Sequence, residues 1–254
     1  DQYRMDLEQL ERVIDSRTRM ILLSNPHNPV GRAWTAEELR GLAEVCLDKG
    51  VLMVSDEIHC DLVLPGHHHV PLASLSGDIA ARTITCMAPS KTFNLAGLST
   101  SHVIIGNDSL RRLFNHTLEA VHVWQGNIFG AVAAEAAYRE GEEWLEQLLV
   151  HVQGNIDYLD GFLRRHIPEI LMLRPEATYM AWLDCRGLGL DDAGLKAFMI
   201  EEAGLGLNDG PSFGEGGGGY QRINLACPRA MVEEAARLLL RAVEGWRRKA
   251  IAKR

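Results

Sequence analysis

The sequence predicts an α/β protein with a mainly parallel sheet, followed by a smaller α+β domain toward the carboxyl end. Two observations carry this. Met20 to Ser24 and Val51 to Ser55 are short apolar runs, and between them Leu39, Leu42, Ala43 and Cys46 recur on one helical face. Strand, helix, strand in that order is a βαβ unit, whose two strands run parallel. The second observation is a change of texture after Pro168, where strand-like segments become short and are no longer separated by long helices.

Each element has a local reason. Met20 to Ser24 ends at a turn rich in Asn, Pro and Gly, from Asn25 to Gly31. Thr35 and Glu38 form a capping box that starts the first helix, and Gly50 closes it. Further strands are expected at Thr83 to Cys86 and His102 to Ile105. After Asn107 a helix is expected with Leu110, Leu113, Phe114 and Val121 as its apolar stripe. Gly126 to Arg165 reads as one helix followed by a longer one. Strands at Tyr179 to Asp184 and Tyr220 to Leu225 flank a helix that begins at Asp191. Pro228 is placed to start a last helix, with Val232, Ala235, Leu239, Val243 and Trp246 inward. The expected division is residues 1–145 for the α/β domain, 146–165 for a connecting helix and 166–254 for the small domain.

Composition excludes several function classes. Hydrophobic residues make up 46% and charged residues 24%, enough for a sizeable core. A net charge of -8 argues against a general nucleic-acid binder, which needs basic surface to displace counterions. The one basic cluster, Arg247 to Arg254, reads as a solvated helix end. The five cysteines are scattered without a CxxC, which reads as reduced thiols and a cytoplasmic location. No apolar run spans a bilayer and no signal peptide is evident, so no membrane partner is expected. His67, His68 and His69 lack the spacing of a zinc site, so no metal is expected. The glycine run from Gly216 to Gly219 has no following Gly-Lys-Ser/Thr and is not a P-loop. No G-x-S-x-G elbow occurs.

Four segments can carry chemistry. Lys91 lies in Ala88-Pro-Ser-Lys-Thr-Phe-Asn-Leu-Ala-Gly97, between two expected strands. A loop lysine is ordinarily a solvated cation. Its small, apolar and hydroxylic neighbours, without an acid nearby in sequence, suit an amine that must be neutral to attack an aldehyde. Asp56, in Ser55-Asp-Glu-Ile-His59, falls at the carboxyl end of a strand, where open α/β sheets gather ligands. It either caps the next turn or faces a protonated ring nitrogen. His59 is either a core histidine or a hydrogen-bond partner. Asn28 lies in Ser24-Asn-Pro-His-Asn-Pro-Val-Gly31, which serves equally as a structural turn. Arg222 stands on an apolar strand, where a guanidinium needs an anion and a substrate carboxylate would serve.

Together, NPHNPVGR, SDEIHCDL, APSKTFNLAGL and SFGEGGGGYQRINLACPR resemble the fold-type I pyridoxal-phosphate (PLP) enzymes. Within that superfamily they resemble the MalY/PatB-type cystathionine β-lyase (C–S lyase) family. The resemblance implies that Lys91 bonds covalently to PLP and serves as the catalytic base. Asp56 would pair with the pyridine nitrogen, Asn28 would approach the ring hydroxyl and the substrate carboxylate, and His59 would stand near that hydroxyl. Ser90 would touch the cofactor phosphate, and Arg222 would bind the amino-acid carboxylate. Typical aminotransferases carry an arginine eight residues after the lysine, where this chain has Ser99. That agrees with the lyase branch, and a class I/II aminotransferase is the alternative. The resemblance also implies that roughly a third of the family's length precedes Asp1, with further phosphate-binding residues in it. A homodimer or a complementing chain is therefore expected, and a non-catalytic fragment is the remaining alternative.

Overall fold

The computed structural model describes residues 3–123 and 126–252. Lys253 and Arg254 of the basic tail lie outside the described residues. The chain divides into two compact units, one of residues 1–28 and 32–147, the other of 29–31 and 148–254.

In the first unit, α1 (Leu7–Val13) precedes β1 (Met20–Ser24), α2 (Ala36–Asp48), β2 (Leu52–Asp56), α3 (Gly77–Ala81) and β3 (Thr83–Met87). Then come α4 (Pro89–Thr92), β4 (His102–Ile105), α5 (Asp108–Ala120) and α6 (Ile128–Glu140). The sheet order is β1-β2-β3-β4. The first three strands are parallel, with Ser24 level with Asp56 and Asp56 level with Cys86; β4 joins antiparallel. The mainly parallel expectation is met, with one reversed edge strand.

The Thr35–Glu38 capping box forms in both directions, and all four residues of the expected α2 stripe are buried. They pack with Leu23, Met53, Trp34, Val51, Leu72 and Ile79 into one core beneath the sheet. The opposite face is graded. Leu22, Val54, Ile84 and Ile105 lie in one row across the sheet. Leu22 is 75% exposed, while Ile84 and Ile105 are 9% and 5% exposed. The expected α5 stripe is on a helix, but none of its residues is buried.

α7 (Glu142–His166) runs across the division between the units. The second unit continues with β5 (Leu171–Leu173), β6 (Met180–Asp184), α8 (Asp192–Ala197), β7 (Asn208–Asp209), β8 (Tyr220–Asn224) and α9 (Arg229–Ala252). Its sheet is antiparallel throughout, in the order β5-β6-β8-β7. Val152, Ile156, Leu159 and Leu163 of α7 are buried, as are Val232, Leu239 and Val243 of α9. Ala236 is buried where Ala235 was expected, while Val232, Leu239 and Val243 keep their expected places on the same face. Trp182 stacks on Tyr220 with ring centroids 5.3 Å apart. A single π-type turn, Phe198–Glu202, follows α8.

The loop before β8 contains a backbone-to-backbone approach. A Cβ on Gly210 would lie 1.9 Å from the Gly217 carbonyl oxygen, and one on Gly217 would lie 2.1 Å from that of Gly210. Only hydrogen fits at either position.

Candidate active site

Three strand ends meet at one edge of the first sheet. The Asn25 amide donates to the Asp56 carbonyl at 2.9 Å, and the Glu57 amide donates to the Cys86 carbonyl at 2.8 Å. Each bond continues the parallel ladder one residue beyond the strands, so the segments after β1, β2 and β3 leave the sheet side by side. The buried Asn25 side chain also donates to the Val70 carbonyl at 2.9 Å. Trp34 Nε1 donates to the Ser24 carbonyl at 2.9 Å. The turn that carries Asn28 is thereby anchored at both ends, with Asn28 itself half-buried.

At this edge lies a cleft of about 350 Å³ lined by Leu22, Val54, Asp56, Ile58, Cys86, Met87, Ala88 and Ser101. Asp56 is the one acidic side chain in an otherwise mostly apolar lining. Its carboxylate is exposed and accepts the Ile58 amide at 3.1 Å, a local turn bond. The turn-capping reading of Asp56 is met by this bond, and the residue also lines the cleft. Burial, with the neighbouring Asp56 and Glu57 carboxylates, pushes the Cys86 thiol up, so it stays protonated near neutrality.

Lys91 is not on a loop. It is the third residue of α4, a helical turn beginning two residues after β3, with Pro89 at its first position. The sequence signal for this was present, since Pro is favoured where a helix starts. Lys91 and Ser90 are both half-buried, and neither lines the cleft beside Asp56. His59 is buried at 4% exposure.

Sequence reasoning missed two features here. Glu57 is buried beside Asp56 and accepts the Ser55 hydroxyl at 2.8 Å and the Leu72 amide at 3.1 Å; it also meets His69 Nε2 at 2.8 Å. That contact gives one member of the histidine trio a structural task. Among the described residues no group of three His, Cys, Asp or Glu side chains could hold a metal. The second missed feature is a bond from Thr92 Oγ1 to Asp61 Oδ2 at 2.9 Å. Both residues stand inside quoted motifs, but a contact across 31 residues leaves no periodic signal.

In the second unit, Arg222 is level with Trp182 on one side and Asn208 on the other. Its Nε and one terminal nitrogen both donate to Asn208 Oδ1, at 3.3 and 3.0 Å. The guanidinium carbon lies 4.7 Å from the centre of the Phe213 ring. Burial lowers the Arg222 pKa from its ordinary value, while the nearby Tyr179 phenol acts in the opposite direction. The fork is thus oriented by a neutral amide and an aromatic face.

The family model for aminotransferase class I and II matches residues 1–239. The chain belongs to that family. This class I/II member is 41% identical over 242 residues to cystathionine beta-lyase PatB of Bacillus subtilis, covering 95% of this chain and 62% of that relative. It is 34% identical over 245 residues to the protein MalY of Escherichia coli, again covering 95% and 62%. Among solved structures it superimposes on cystalysin of Treponema denticola, which contains a pyridoxal 5'-phosphate cofactor, with a TM-score of 0.94 and 36% identity. That match covers 96% of this chain and 62% of cystalysin. The chain therefore spans about 62% of the length of these relatives. Among the described residues no helix is long and apolar enough to cross a membrane.

Proposed function

We propose that this chain provides the lysine-bearing part of a PLP-dependent C–S β-lyase acting on a sulfur-containing L-amino acid of the cystathionine or cysteine type. The products would be a thiol, pyruvate and ammonia. The observation that carries the reading is Asp56 at the carboxyl end of β2, lining an apolar cleft one strand away from the turn that holds Lys91. A flat, cationic heterocycle fits such a lining, since its faces need apolar contact and its charge needs a carboxylate. The 41% identity to PatB and the 34% identity to MalY support the lyase assignment.

When bound, the cofactor supplies an electron sink for the pair left on the substrate α-carbon. Lys91 Nζ would hold the cofactor covalently until a substrate amine displaces it, and would then take the α-proton. Asp56 would keep the ring nitrogen protonated through the oxygen that does not cap the turn. Asn28 and His59 would flank the ring hydroxyl, and Ser90 would donate to the phosphate. Arg222 would bind the substrate carboxylate with its fork. A homodimer or a complementing chain would supply further phosphate contacts. The five free cysteines fit a cytoplasmic setting.

The test is to incubate the PLP-loaded protein with L-cystathionine or L-cysteine and measure pyruvate. Release without a keto-acid acceptor is expected. Turnover only with 2-oxoglutarate present would make the protein a transaminase instead.

A further inference from the structure

We propose that Asp61 and Thr92 are positioning residues whose hydrogen bond sets the orientation of the turn carrying Lys91; this rests on the reading of Lys91 as the cofactor lysine. α4 is four residues long, and its first residue follows Ala88, which offers no side-chain cap. A helix of one turn does not hold its own geometry, because nucleation costs more than a single turn's hydrogen bonds return. The internal bonds are few: Phe93 amide to Pro89 carbonyl at 2.8 Å, and Leu95 amide to Ser90 carbonyl at 3.0 Å. The orientation of this turn must come from what its side chains grip.

Two grips are present, both at residues just after Lys91. Thr92 is fully buried, and its hydroxyl donates to Asp61 Oδ2 at 2.9 Å. The other Asp61 oxygen lies 3.6 Å from Cys60 Sγ, so the carboxylate is held on both sides. Threonine is stiff about χ1, so fixing its hydroxyl also fixes the backbone that bears Lys91. Asp61 stands five residues beyond Asp56 on the segment leaving β2. One hydrogen bond therefore ties the segment of the acid to the turn of the lysine. The second grip is Phe93, which meets Tyr138 edge-on at 5.6 Å and Trp144 at 5.9 Å. Gly141 makes room for it, since a Cβ there would lie 2.5 Å from the Phe93 ring. Phe93 fixes where the turn sits, and the Thr92–Asp61 bond fixes its rotation.

The experiment compares the chain with its Thr92→Val, Asp61→Ala, double and Thr92→Ser variants. Two quantities are read. One is the rate at which pyridoxal 5'-phosphate labels Lys91, trapped by borohydride and located by mass spectrometry. The other is amide hydrogen exchange at Phe93 and Leu95 without any probe. Thr92→Val and Asp61→Ala should each slow labelling about tenfold and speed exchange at both amides, with the double variant no worse than either single. Thr92→Ser should keep labelling within about twofold of the parent, because it retains the hydroxyl. Parent-like labelling and exchange in both single variants would overturn the proposal, as would Thr92→Ser behaving like Thr92→Val. If the parent takes no label at Lys91, the functional reading falls and exchange alone decides the positioning role. Should Thr92→Val fail to fold, Asp61→Asn replaces it, with the same directions expected because its neutral oxygen is the weaker acceptor.

Discussion

The two sheets use similar apolar residues for different ends. In the second unit, Ala181, Trp182 and Leu183 of β6 are 0%, 2% and 1% exposed. In the first unit, Met20 and Leu22 of β1 are 53% and 75% exposed, although Leu23 next to Leu22 is buried. The antiparallel sheet is a core element, and Arg222 rises from the middle of one of its strands. The mainly parallel sheet packs a large core beneath one face and carries Asp56 at the carboxyl end of β2. Stability and proposed chemistry are separated along the strands in the first unit and coincide on the same strand in the second. A substitution in β8 should therefore disturb both, whereas one at the end of β2 should disturb chemistry alone.

The largest effect should come from Lys91→Ala, which is expected to abolish the borohydride-stable PLP adduct while leaving thermal unfolding unchanged. An adduct that survives at another lysine would show that the chemistry lies elsewhere than on the turn after β3. Next, Trp182→Ala should destabilise the second unit by about 3–5 kcal/mol in denaturant unfolding, since it empties a stacked, fully buried site. The contrasting Leu22→Ala should change stability by no more than about 0.5 kcal/mol. Equal losses from the two would erase the distinction between the sheets. Arg222→Ala should weaken amino-acid binding by about 1.5–3 kcal/mol, read as a raised KM with an unchanged visible spectrum of the bound cofactor.

The smallest effect concerns pH. Burial lowers the His27 pKa from its ordinary 6.5, so the fold favours the neutral ring. The sign follows from linkage: stability is full above about 6.5, where the unfolded histidine is also neutral, and is lost as pH falls toward the folded value. Replacing His27 with Asn should flatten the slope of unfolding midpoint against pH in the window just below 6.5. A slope identical to the parent's would place the acid sensitivity elsewhere in the first unit.

Much of this architecture was legible because periodicity reports burial. The α2 stripe was readable to the residue, since Leu39, Leu42, Ala43 and Cys46 all face one core. The same pattern misled at α5, where Leu113 and Val121 are 62% and 58% exposed. Amphipathic spacing specifies a helix, and whether anything covers its stripe is a separate matter. The short strands β5 and β7 were not seen, because three and two residues are too few to show alternation. Asp56, His59, Asn28, Ser90 and Arg222 stood out because each lies in a contiguous motif. The neighbours that orient them did not stand out: Asn208 reaches Arg222 across 14 residues, and Asp61 reaches Thr92 across 31. Such pairs are set by strand order and loop path, which no local pattern encodes.

The close approach of Gly210 to Gly217 also bears on how this chain can vary. Between them lie Phe213, whose ring sits under Arg222, and Glu215, which is exposed. A saturation library across this stretch should be sharply uneven. Exposed positions would accept many residues, while the two glycines would accept none, each vetoed by the other's carbonyl. Because the veto is reciprocal, no second substitution at the partner could rescue the first. The loop can drift in sequence at its tip but not at its neck, and any new side chain offered to a ligand beside Arg222 would have to arise on that tip.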